Sequence, residues 1–221
     1  MKKIFVLFLT VAMVLSMGVT AFAGPGNFLD SPSKNKAPEV IEGNNTSPDC
    51  DGYIVVTPYA DRATLNAEKR AAIEKAYDDI VAAEDLTDFN AKLLSLVDAK
   101  KIPHENLAVS DLFDVSYYGC DKHDDHADFN IKLKCDKGIL EGFVGLLHFT
   151  GGKWVLVEDA KVEGDILSFR AKDLSPFAIV VETENPPQTG DSTSWRIYLV
   201  LMIVSAAALA VVGYKLKKSE D

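Results

Sequence analysis

Cysteine is scarce: Cys50, Cys120 and Cys135 are the three in a chain of 221 residues. Three thiols close one disulfide at most, so this is not a disulfide-stapled scaffold and the chain must fold on an apolar core. Familiar catalytic signatures are missing as well. The sequence has no Gly-x-Ser-x-Gly elbow, no His-Glu-x-x-His helix and no phosphate-cradling glycine loop. Basic residues are outnumbered, 23 against 33 acidic ones, giving a formal charge of −10 at pH 7. An acidic balance of this kind argues against nucleic acid and anionic lipid as partners of the exposed domain, because both would be repelled.

Long hydrophobic runs occur at the two ends. Residues 1–23 open with Lys2 and Lys3, continue through an apolar run and end in Ala21-Phe22-Ala23, the layout of a secretory signal peptide with its small-any-small cleavage site. Residues 197–214 read IYLVLMIVSAAALAVVGY, without a charge. As a helix they rise about 27 Å, close to the roughly 30 Å hydrocarbon core of a bilayer, and a helix satisfies its own backbone hydrogen bonds there. Trp195, Tyr198 and Tyr214 suit the two interfaces, and Lys215, Lys217 and Lys218 suit the cytoplasmic side. The expectation is an exported protein with one transmembrane helix, its N-terminus outside, held at the extracellular surface in the cell wall or plasma membrane.

Pro187-Gln188-Thr189-Gly190 stands just before that span. The tetrapeptide, the apolar helix and the Lys tail, in that order, resemble the sorting signal of Gram-positive cell-wall-anchored surface proteins. In that family Leu-Pro-any-Thr-Gly is cut between Thr and Gly by sortase, a cysteine transpeptidase that joins the Thr carboxyl to an amine of peptidoglycan. The resemblance implies that Thr189 is the acyl donor, that Gly190 begins the leaving fragment, and that sortase and peptidoglycan are partners. Pro186 stands where the family has Leu. The alternative is a single-pass membrane protein, not processed by sortase, whose PPQTG is only stalk.

Between the ends, residues 24–51 are polar and broken by Pro25, Pro32, Pro38 and Pro48, which predicts a linker or disordered arm, with Glu39-Val40-Ile41 able to add an edge strand. Residues 52–184 form the ectodomain, 185–196 the stalk and sorting motif, and 215–221 a cytoplasmic basic tail. Without the signal and everything after Gly190, 17 basic and 30 acidic residues remain, a net charge of −13. Tyr53–Thr57 is β-branched and predicts a strand. Helical spacing predicts a helix over about 65–83, capped by Thr64 or Asn66, with Ile73, Ala76, Tyr77, Ile80 and Val81 on its buried face. A second helix is expected over about 88–101, capped by Thr87 and stopped by Pro103, with Phe89, Leu93, Leu96 and Val97 buried. The short connection between them implies an antiparallel pair. Strands are expected over 112–118, 129–133, 143–149, 153–158, 166–170 and at Phe177, Ile179 and Val181, with a Gly151-Gly152 hairpin. The fold class is therefore α+β: an antiparallel helix pair packed on an antiparallel β-sandwich or sheet, plus the C-terminal transmembrane helix. Leu174–Val181, preceded by Gly152-Lys153-Trp154, is similar to the closing strands of β-rich modules that precede wall-sorting signals, and the region from Ile54 looks like an uncharacterised domain of such surface proteins. That resemblance implies no chemistry.

One stretch gathers ligand-type side chains: Cys120-Asp121-Lys122-His123-Asp124-Asp125-His126-Ala127-Asp128. Thiolate and imidazole suit zinc, which points to Cys120, His123 and His126, with Cys135 or Cys50 as a fourth ligand. Calcium would take the carboxylates, although the regular spacing and glycine of an EF-hand are absent. The competing reading is a solvated hairpin tip without any cofactor, and either remaining cysteine can equally pair with Cys120 as a disulfide. His148 reads as a packed strand histidine, His104 as a loop residue, and Ser175 as a residue leading into a strand rather than a nucleophile. Trp154, Tyr117 and Tyr118 either line a sugar or peptide groove or belong to the core. No catalytic constellation emerges, and a non-catalytic binding or structural module is expected, its ligand unknown.

Overall fold

The computed structural model describes residues 27–45, 52–119 and 128–184. Period-two alternation builds its sheets. Phe129, Ile131 and Leu133 are buried while Lys132 and Lys134 are exposed, so this strand has one apolar and one wet face. The strands β1 (Glu39–Asn45), β2 (Tyr53–Pro58), β3 (Leu107–Tyr118), β4 (Phe129–Lys134), β5 (Phe143–Thr150), β6 (Lys153–Leu156), β7 (Lys161–Glu163), β8 (Ile166–Ala171) and β9 (Pro176–Glu182) form two antiparallel sheets. Four strands run in the order β1-β4-β8-β7 and five in the order β2-β3-β9-β5-β6.

The sheets share one core, with Phe113, Val115, Phe177 and Ile179 of the five-stranded sheet meeting Ile131, Leu133, Leu167 and Phe169 of the other. The opposite face of the five-stranded sheet is covered by helices α1 (Ala67–Ala82) and α2 (Ala91–Lys100). Strands β3, β5 and β9 are therefore buried on both faces, which explains their near-continuous apolar sequences. In β3 a register shift between Val109 and Asp111 reverses the parity. Leu107 and Val109 before it face the helices, as does Leu112 after it, while Phe113 and Val115 face the other sheet. Gly151 and Gly152, with φ of 56° and 74°, make the tight turn between β5 and β6 that an L side chain would strain.

Helix α1 begins as expected: Asn66 Oδ1 accepts from the Lys69 N–H at 2.9 Å. Ile73, Ala76 and Ile80 are buried, but Val81 is exposed. The second helix differs more. Asp85 accepts from Thr87 N and opens a 3-10 turn over Leu86–Phe89, and Asn90 then caps α2 by accepting from Lys92 N. Thr87 is thus not the cap; two closely spaced side-chain acceptors divide what periodicity reads as one helix. The helices also do not form a tight hairpin. Helix α1 packs over β3 and β9, whereas α2 lies towards β5 and β6, where Asn90 Nδ2 donates to Trp154 O at 3.1 Å.

The loosely attached arm expected over 24–51 is corrected for residues 27–45. Phe28 is fully buried and stacks on Tyr77 at 5.3 Å. Val109 N–H donates to Asn27 O and Leu29 N–H to Val109 O, so the segment fills the edge of β3 that β2 does not reach. Asn27 Nδ2 donates to the carbonyls of Ile80 and Ala83, which end α1 without helical partners. Residues 39–45 then join the second sheet as the edge strand β1. Proline content suggested a linker because it reports the absence of helix, not the absence of packing. Among the described residues no helix is long and apolar enough to cross a membrane. The signal at 1–23, the stalk and motif at 185–196, the span at 197–214 and the tail at 215–221 lie outside the described residues.

Candidate functional site

The sequence-predicted site residues Cys120, His123 and His126, together with Pro187, Gln188, Thr189 and Gly190, lie outside the described residues, as does Cys50. Cys135 is described. It is unbridged and buried just past the end of β4, where its N–H donates to Asp165 O. Burial, with the carboxylates of Asp111, Asp136 and Asp165, pushes its thiol up to about 12. A nucleophile must be a thiolate, and burial disfavours one here; the residues with which Cys135 would share a zinc ion, Cys120, His123 and His126, lie outside the described residues.

Three polar side chains in line invite a catalytic reading. Ser175 Oγ lies 2.5 Å from His148 Nε2, and His148 Nδ1 lies 3.8 Å from Asp173 Oδ1. A structural latch accounts for the same contacts. Phe149 O accepts only, so the Ser175 hydroxyl donates its single hydrogen there, at 2.7 Å. His148 Nε2 then carries a hydrogen and donates to Ser175. A base for this serine needs a bare Nε2. Burial holds the imidazole below its ordinary range, with Asp173 opposing, and the ring stacks on Phe177 at 4.3 Å. The group latches the turn before β9 to β5, in keeping with a packed histidine.

A second buried line joins α1 to β3. Lys69 Nζ donates to Ser116 Oγ at 2.7 Å, and Ser116 Oγ donates to Asp114 Oδ2 at 2.6 Å. Asp114 is fully buried, and burial raises its pKa against the opposing effects of Ser116 and Lys69. Lys69 also sits 5.2 Å from the Tyr118 ring, which pairs at 6.3 Å with Tyr53; both rings are exposed. Trp154 is buried against Phe89 and Phe149, and Tyr117 packs between the sheets against Phe129. Of the aromatic residues considered for a groove, Tyr118 is exposed, Tyr117 half-buried and Trp154 buried.

A further concavity lies elsewhere. A groove of about 1,100 Å³ runs between α2, the start of β5 and β7. Leu96, Phe143, Leu156 and Val162 give it apolar walls, and Lys100 and Lys161 stand on its rim. Sequence reasoning missed it because β7 has three residues, too few for an alternation signal, and because the groove arises where the chain leaves one sheet for the other. An open groove with apolar walls can hold an extended chain; of its charged lining residues, Lys92 and Glu158 form an ion pair with each other.

No protein-family model, no curated protein and no solved structure matches the chain.

Proposed function

We propose that this chain is an exported cell-surface protein, anchored through its C-terminus, whose α+β ectodomain is a non-catalytic binding module. The observation that carries the address is the order of three sequence features: Pro187-Gln188-Thr189-Gly190, the charge-free residues 197–214, and Lys215, Lys217 and Lys218. Each is short, and their succession is the arrangement a transpeptidase needs: a cleavable segment outside, a helical stop in the bilayer and a cytoplasmic anchor. Residues 197–214 form the single transmembrane helix in this reading, and sortase and peptidoglycan are the partners. Support for a binding role comes from the 1,100 Å³ groove and the exposed Tyr53–Tyr118 pair.

The test is the chemical state of Thr189 in the native host. Cells are fractionated, the wall is digested with a muramidase, and C-terminal peptides are identified by mass spectrometry. A peptide ending at Thr189 and amide-linked to a peptidoglycan amine is expected. An intact chain in the membrane fraction, with residues 190–221 still attached, overturns the sortase step and leaves a single-pass membrane protein.

A further inference from the structure

The latch leaves one nitrogen of His148 unused. With Nε2 donating to Ser175, and Ser175 to Phe149 O, Nδ1 of the neutral ring is a bare lone pair. An imidazolium would carry a hydrogen there and draw Asp173 Oδ1 into bonding range. The two atoms stand 3.8 Å apart, beyond that range, and both are acceptors. The His148 side chain is only 8% exposed, yet with Thr150 and Asp173 it lines a cavity of about 320 Å³ walled by Val155, Leu156 and Ala171. Asp173, on the Nδ1 side, lines that cavity; Ser175, on the Nε2 side, does not. Nδ1 is therefore the ring atom turned towards it.

Both groups are held from behind. Ser175 fixes Nε2–H, and its own hydrogen is committed to Phe149 O. Thr150 lies two residues from His148 on the same face of β5, and its Oγ1 donates to Asp173 Oδ2, which leaves Oδ1 to face the imidazole. Histidine and carboxylate ligands of metal ions are ordinarily held in this way, the second atom in a hydrogen bond that sets tautomer and orientation.

The formal charges of the cavity select neither sign. Glu158 is paired with Lys92, while Asp159 and Asp173 are matched by Arg170 and Lys172. Recognition must rest on the ligand atoms themselves. A bare imidazole nitrogen beside a carboxylate oxygen is a donor pair for zinc, whereas calcium and magnesium take oxygen alone. An ion about 2.1 Å from each atom bridges the pair at roughly 130°, and an approach of about 0.4 Å brings that to the tetrahedral angle. Asp173 is 59% exposed and free to make that approach. Among the described residues no group of three or more His, Cys, Asp or Glu side chains converges, so water must fill the remaining positions.

We propose that His148 Nδ1 and Asp173 Oδ1 bind one zinc ion beside this cavity, with water completing its coordination. The ion pins the turn that leads into β9 against β5. The site goes beyond the binding-module reading, does not depend on it, and uses none of Cys120, His123 and His126.

The test uses the full chain in mild detergent, carrying Cys120→Ala, His123→Ala and His126→Ala so that those side chains take no metal. Proton–nitrogen correlation NMR of the imidazoles reads each ring nitrogen, with His104 as the internal control. In the metal-free chain His148 should show a bare Nδ1 and a protonated Nε2. Added zinc should move Nδ1 to the metal-bound position, saturably and with a micromolar-range Kd, while Nε2 keeps its hydrogen; calcium should move neither. Asp173→Asn, at an exposed position, should weaken binding by at least about tenfold. Thr150→Val, which only releases Oδ2, should weaken it about tenfold. A hydrogen on Nδ1 in the metal-free chain overturns the proposal. So does an unmoved His148 up to about 1 mM zinc, a metal shift at Nε2 instead of Nδ1, or undiminished affinity in Asp173→Asn. Urea midpoints in chelator establish that each variant is folded, and the His148 resonances of the chain with Thr150 and Asp173 intact decide the question if either variant is not.

Discussion

His104 Nδ1 lies 2.8 Å from Asp85 Oδ2 and so ties the turn between the two helices to the loop that leads into β3. On its other side Nε2 is 3.3 Å from Asp98 Oδ1, near the end of α2. The hydrogen bond to Asp85, then that to Asp98, raises the His104 pKa above its ordinary value. Burial opposes ionisation of Asp85, but bonds from Thr87 N, Thr87 Oγ1 and His104 outweigh it and lower its pKa.

The sign for His104 follows from linkage. A raised histidine pKa adds stability that is complete below the unfolded value of 6.5 and is lost as pH rises through the folded value. For Asp85 the added stability is present above 3.8 and is lost as pH falls through its lowered folded value. In an NMR titration the His104 midpoint should lie above 6.5 and drop in the Asp85→Asn variant. Asp98→Asn should move it less, because that contact is longer and Asp98 more exposed. A wild-type midpoint at or below the ordinary value would refute the clasp.

Asp111 pulls the opposite way. It is almost fully buried at the bulge of β3, and burial raises its carboxyl to about 6 despite bonds from Asn35 Nδ2 and Leu112 N, with Asp136 adding to the rise. The folded state therefore prefers the protonated acid, and stability falls as pH rises from about 4 to about 6 on account of this group. Above that range the charge costs roughly 2–3 kcal/mol. Asp111→Asn keeps an oxygen to accept from Asn35 and should raise stability at neutral pH by about 1–3 kcal/mol while changing little near pH 4. Urea unfolding at the two pH values measures both; equal effects at both would contradict a titration origin.

The protonated thiol of Cys135 gives a further expectation. At neutral pH it should resist alkylation in the folded chain and react fully in denaturant, as peptide-level mass spectrometry after iodoacetamide can show. Rapid native-state labelling of Cys135 would contradict its burial and its raised pKa.

Strands announced by alternation were legible. Phe129, Ile131 and Leu133 face the core, and Phe177, Ile179 and Val181 do likewise, because one buried face imposes period two. The cap at Asn66 was legible for a similarly local reason. Whatever depends on partners distant in sequence was not. Phe28 belongs to the core through contacts with Tyr77 and Val109, and nothing in a Pro- and Asn-rich segment signals that. His104 looked idle because its partners, Asp85 and Asp98, are brought to it by the fold. The groove was hidden for the same reason: its lining is drawn from α2, β5, β6 and β7, which are distant in sequence and brought together by the fold.

Ser175 separates a latch from a nucleophile by experiment. Its hydroxyl meets two neighbours, donating to Phe149 O and lying 2.5 Å from His148 Nε2, which is the donor of that pair in the latch assignment. Ser175→Ala leaves a largely buried carbonyl and a buried imidazole without that partner and should cost about 1–3 kcal/mol, whereas Ser175→Thr, which keeps the hydroxyl, should recover most of it. Because burial lowers the His148 pKa, its contribution to stability is lost as pH falls from 6.5 through the folded value, so urea unfolding midpoints should fall towards acid there. A fluorophosphonate serine probe supplies the deciding readout. A serine whose only hydrogen is committed to a carbonyl, beside an imidazole that is itself a donor, stays unlabelled; covalent labelling of Ser175 that disappears in His148→Ala would show that Nε2 is free to act as a base and that the latch assignment is wrong.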